Sequence, residues 1–263
     1  MTTDSLLTIA SHVYAVAAIA YLAMLFRPLA AWAWVGRGLV AGGLVLHGLY
    51  LLRILSQDAP VLSRGEGLAA AGFVTLLLFL GLELFYRRPV LGAFVTPLAV
   101  GVLLPAAAIG QPVEGSSLHG PLLSIHIGLA VLGLAAFAVA AAVAGMYLLM
   151  EREARRKRFG LIFERLPSLQ FLDDLHRRLG LVGFVVLSLT LLSGAYFARA
   201  TPLESWSFKA IATVLVWLVF GVLLQARLLG GWKGRRLAVV TMAGFGILLV
   251  SFFGSYVPVA VGP

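Results

Sequence analysis

The sequence predicts an all-α protein, a polytopic bundle of about eight transmembrane helices that forms a single integral membrane domain over residues 1–263. Three observations predict it. Hydrophobic residues make up 61% of the chain and charged residues 12%, against about 45–50% and about 25% in a soluble domain. The mean hydropathy is +1.00, and runs of the ~20 apolar residues that a ~30 Å hydrocarbon core demands recur along the whole length. The basic residues, finally, fall in alternate loops.

Taken in order, the first run is Ser5–Phe26. It opens on "MTTDS" without a basic residue, and no small-residue cleavage site follows, so it reads as a span and not a signal peptide. The second, Val35–Leu55, carries His47. The third, Leu68–Tyr86, ends at "YRRPV", where Pro89 cannot extend the hydrogen-bond ladder, and the fourth, Val90–Ile109, follows at once. A Gly/Pro/Ser-rich loop, "GQPVEGSSLHGP", leads to the fifth, Pro121–Met150, which carries His126. Residues 151–178 form the longest polar segment. Its charge run Glu151–Arg158 should extend the fifth helix into water, and "FGLIFERLPSLQFLDDL" has the mixed pattern of a helix lying on the membrane surface. The last spans are Leu179–Ala198, Phe208–Leu228 and Leu237–Val257. Small-residue stretches such as "VAGGLVL" and "MAGFGI" let helices approach closely in lipid and suggest a compact bundle.

The net charge of +9 is mainly topological. All of the 20 basic residues except Arg53, Arg64, Arg199 and Lys209 lie in alternate loops. The positive-inside rule places those loops in the cytoplasm and both termini outside. This use of the charge leaves no reason to expect a nucleic-acid partner; the expected surroundings are membrane lipid, in a bacterial inner membrane. The absence of cysteine excludes disulfides, thiolate metal sites and thioether attachment of a cofactor.

Imidazoles inside hydrocarbon need a reason. At 1.5 Å per residue, His47 lies roughly 12 Å and His126 roughly 8 Å from the outer ends of their spans. His12 falls in the outer half of the first span, and His119 sits in a loop at the same surface. His176, between arginines on the other side, reads as an interfacial residue. Neutral imidazoles ligate iron, copper or zinc, and two opposed histidines suit a six-coordinate haem. Haem b held between His47 and His126 is therefore the chemically natural cofactor. The plainer alternative gives each imidazole a hydrogen bond to a serine, a backbone carbonyl or the interface. Arg53, Arg64 and Arg199 on the outer rim would pair with propionates or snorkel, and Trp206 would add an apolar lip. Glu83 is expected to reach the headgroups or to pair with Arg87 at i+4.

Several segments resemble a known family. "LHGLYLLR", "GAFVTPLAV", "LLSIHIGLAVLGLAAFA", "LDDLHRRLGLVGFVVLSLTLLSGAYFA" and "WLVFGVLLQARLLGGWKGRRLAVVTMAGFG" are similar to the cytochrome c assembly proteins of the CcsA/CcmC type. The resemblance implies a helical bundle that binds haem and moves it toward the outer face, with His47 and His126 in the positions of its iron-ligating histidines. The family's tryptophan-rich outer loop is reduced here to Trp206 and Lys209, with Ser207 at the acid's position, and Gln225 stands at a histidine's position. This reduced pattern is that of the short HemX-like or YpjD-like branch. It implies an accessory role in haem transport, cytochrome c biogenesis or regulation of haem biosynthesis, with a haem-biosynthesis enzyme or other assembly proteins as partners. No nucleophile–base pair or acid pair points to catalysis. A small-solute or ion transporter is the competing expectation, since Gly- and Pro-interrupted spans build transport sites.

Overall fold

The computed structural model describes residues 3–56, 64–108, 121–157, 160–198, 208–230 and 234–254. Among the described residues there is no strand. Eight long helices follow the expected spans: α1 (Thr3–Phe26), α2 (Ala30–Leu55), α3 (Arg64–Tyr86), α4 (Gly92–Ala108, entered through a 3-10 turn at Pro89–Leu91), α5 (Pro121–Arg155), α7 (Leu169–Ala198), α8 (Phe208–Gly230) and α9 (Arg235–Gly254). The short α6 (Leu161–Arg165) precedes α7. By length and composition α1, α2, α3, α5 and α7 are sufficient to cross a membrane, and α4 and α8 are shorter apolar helices. The outward side chains are themselves apolar: Ile19, Val45, Leu192 and Val222 are all more than 60% exposed. A surface of this kind is matched by acyl chains, not water. The chain is a polytopic helical membrane protein.

Small residues decide the close contacts. Gly36 packs on the Tyr21 ring and Gly43 on the Tyr14 ring. A Cβ at Gly36 would lie 2.8 Å from Tyr21 Cε2, closer than packed carbon atoms approach. These two contacts fix α1 and α2 as an antiparallel hairpin, and Gly72 does the same for α3 against Leu103 of α4. One core joins α1–α5 and the start of α7 through Tyr14, Tyr21, Phe79, Leu103, Met146 and Leu172. A second joins α5, α7, α8 and α9 around Phe137, Phe220 and Phe245.

The segment expected to lie along the membrane surface is divided instead. Only Leu161–Arg165 forms a separate helix; the chain leaves it extended at Leu166 and then runs straight into α7 from Leu169. Pro167 favours the extended backbone at Leu166. Leu172, Leu175 and His176 are buried, so "LQFLDDL" is the first turns of a long helix, not an interfacial one. The two most distinctive sequence pieces also meet here. The Gly234 N–H, from "GWKGRR", donates to Asp173 Oδ1 of "LDDL" at 3.4 Å. Gly234 has φ +75 and stands against the Tyr147 hydroxyl, where only glycine fits both the conformation and the space.

Candidate functional site

His47 is fully buried. It projects from α2 among Tyr14 of α1, Tyr50 one turn along α2, and Phe73 of α3. The ring centroids lie 6.0, 5.9 and 5.4 Å away, with Phe73 edge-on. Its Nδ1 stands 3.5 Å from the Tyr14 hydroxyl, the outer limit of a hydrogen bond. Its Nε2 is buried and has no hydrogen-bond partner among the described residues. Buried polar atoms are nearly always satisfied, because leaving one unmade costs about 1–3 kcal/mol. Three buried side-chain nitrogens among the described residues lack a partner, Trp32 Nε1, Arg165 Nε and His47 Nε2, and of these only the imidazole can offer a lone pair to a metal. In the tautomer that donates Nδ1–H to the Tyr14 hydroxyl, Nε2 carries the lone pair, the donor that iron takes.

His126 lies in the first turns of α5, half-buried against α7. Its Nδ1 is 2.9 Å from Ser193 Oγ. Ser193 has a single hydroxyl proton, and it is donated to the Thr190 carbonyl at 2.9 Å. The serine oxygen must therefore accept from His126 Nδ1–H, which places the basic lone pair on Nε2. Gly194 makes room for the ring, since a Cβ there would lie 3.1 Å from His126 Cε1. Ser193→Ala is expected to release this tautomer. In protein labelled with nitrogen-15 at histidine, the His126 ring resonances should move from a single Nδ1–H form toward a mixture; unchanged shifts would show that Ser193 does not set the tautomer.

The other expected site residues are placed as follows. His47 and His126 occupy different helix groups, the first enclosed by α1, α2 and α3 and the second held to α7. His12 is exposed and its Nδ1–H donates to the Thr8 carbonyl at 2.7 Å, so it does not join His47. Arg53 is exposed near the end of α2. Arg64 begins α3 but its side chain lies outside the described residues, as do Arg199, Trp206 and His119. His176 is buried against α9, with Nε2 2.9 Å from Thr241 Oγ1.

Glu83 is the clearest departure from expectation. It is fully buried, and its partner is Arg37, not Arg87. Glu83 Oε1 accepts from Arg37 Nη2 at 2.9 Å and Nε at 3.3 Å, and Oε2 accepts from the Tyr21 hydroxyl. Arg87 is unsuited to the pairing because α3 ends at Tyr86 and Arg87 turns to φ 52, off the helical i+4 register. Arg37 in turn is a helical residue, since α2 begins at Ala30, not Val35. No group of three or more metal-ligating side chains occurs among the described residues.

Comparison with known proteins places this bundle. The family model described as "Cytochrome C assembly protein" matches residues 39–259. The chain belongs to the cytochrome c assembly protein family. Among similar proteins is a cytochrome c biogenesis protein CcsA of Synechococcus sp. (strain CC9902), 28% identical over 244 residues, covering 82% of this chain and 80% of that one. The protein of the same name from Parasynechococcus marenigrum is 27% identical over 89% of both chains. That from Chlorella vulgaris is 26% identical over 82% of both. No solved structure matches. The match includes both His47 and His126, whereas His12 precedes it.

Proposed function

We propose that this protein binds haem b within its membrane domain and handles it during cytochrome c biogenesis, in a bacterial inner membrane. Membership of the family, and the names its relatives carry, support the process. The observation that carries the haem reading is the Nε2 of His47, a buried imidazole donor without a hydrogen-bond partner among the described residues. His47 would hold the iron through Nε2. His126, turned by Ser193 to put its lone pair on Nε2, is the second donor the reading names, on a helix group apart from the one that encloses His47. Bound haem would add a redox-active iron and a large apolar plane; the chain's own residues bind, orient and keep water away. Tyr14, Tyr50 and Phe73 line the His47 side with aromatic surface. The reduced outer loop supports an accessory role beside other assembly proteins or a haem-biosynthesis enzyme, in the manner of the short HemX-like or YpjD-like branch.

An absorption spectrum of the protein purified in detergent tests the reading directly. A Soret band is expected as purified or after titration with haemin, with a low-spin spectrum from two imidazoles. His47→Ala abolishes it, and His126→Ala abolishes it or leaves a high-spin form. Protein that stays colourless after haemin titration, or a band indifferent to both substitutions, overturns the assignment.

A further inference from the structure

Between α5 and α7 the chain makes an elbow at the basic end of the bundle. The helix α5 stops at Arg155, and Lys157 takes the left-handed φ of 51 that ends helical geometry. After Gly160 the five-residue α6 begins. Phe163 and Leu166 pin that helix to the main core. Its other side leaves Leu161 39% and Ile162 44% exposed. Cations flank these apolar side chains in sequence, and Arg165 lies one turn from Leu161 on the same short helix. Arg155 is paired with Glu151 at 2.8 Å. Arg156, Lys157 and Arg165 have no ion pair among the described residues, and Arg165 Nε is buried without a hydrogen-bond partner.

We propose that this elbow binds the headgroup of an anionic phospholipid, with Arg156, Lys157 and Arg165 on the phosphate and the acyl chains over Leu161 and Ile162. A surface made only to satisfy topology needs positive charge, and any exposed loop provides it. It does not need two exposed apolar side chains in the same short segment as the charge. That pairing of features matches an amphiphile, whose phosphate accepts from guanidinium and ammonium donors while its chains cover carbon. A soluble phosphate would leave Leu161 and Ile162 uncovered. The basic end, cytoplasmic by the positive-inside rule, also faces the leaflet where anionic lipids are attracted to such clusters. The proposal does not depend on the haem reading.

Native mass spectrometry of the full chain, titrated with phosphatidylglycerol and with phosphatidylcholine, provides the test, with thermal unfolding measured alongside. The wild type should retain phosphatidylglycerol over phosphatidylcholine and be stabilised by it. R156Q/K157Q/R165Q should lose this preference, at roughly fivefold in affinity per cation removed. Arg155→Gln, which removes a cation already neutralised by Glu151, should keep the preference. L161S/I162S should weaken both lipids without abolishing the preference. Unfolding in phosphatidylcholine alone reports whether each variant folds, and Lys157→Gln supplies a milder change should the triple variant fail. Equal retention of the two lipids by the wild type, an undiminished preference in the triple variant, or full replacement of the effect by millimolar inorganic phosphate would each overturn the proposal.

Discussion

Glu83→Ala is expected to destabilise the bundle by about 3–5 kcal/mol, the usual cost of removing one partner from a buried ion pair. In a chain of this size that is a fall in unfolding temperature on the order of 10 °C, measured by thermal unfolding in detergent. Glu83 joins three helices, receiving Arg37 of α2 and the Tyr21 hydroxyl of α1 while itself on α3. Its removal leaves a guanidinium that is only 24% exposed, and a buried phenol, without an acceptor. The charge and not the volume should dominate, because Arg37→Met combined with Glu83→Leu removes both charges and is expected to recover most of the loss. A Glu83→Ala protein as stable as wild type would show that the pair is not needed to hold α1, α2 and α3.

The helices were legible in the sequence because length and greasiness alone define a span, and no tertiary knowledge is needed to read either. Boundaries failed where an amphipathic start hid a helix. Leu169–Leu179 mixes Asp173, Asp174 and Arg177 with leucine because Leu172, Leu175 and Leu179 meet the core while Asp174 and Arg177 face outward, which locally looks like a surface helix. The start of α2 was missed for a related reason: Trp32, Trp34 and Arg37 look like loop residues at an interface, yet Leu29 is already the residue before the first turn. Candidate ligands were legible as residues out of place in hydrocarbon, and their surroundings were not. Tyr50 lies one turn from His47 and was in view, but Tyr14 and Phe73 reach that ring only through helix pairing. Arg37 and Glu83 stand 46 positions apart, whereas Arg87 is an obvious neighbour on paper. Sequence distance favours the local partner; packing chose the remote one.

His47→Leu separates a ligand from a structural histidine. Leucine fills nearly the same space in the cage of Tyr14, Tyr50 and Phe73 and brings no polar atom. In haem-free protein the substitution removes a buried nitrogen that has no partner and disturbs one 3.5 Å contact to Tyr14. Unfolding stability should therefore hold or rise, by up to about 2 kcal/mol. His47→Ala should instead lose about 2–5 kcal/mol to the cavity it leaves. Both variants should fail to show the Soret band, so stability and haem binding part company in the leucine variant alone. This is the pattern of a site that gives up stability in the empty protein to keep a donor ready. A haem-free His47→Leu protein destabilised by more than about 2 kcal/mol would mean that the imidazole supports the fold, and its unpartnered nitrogen would no longer argue for a ligand.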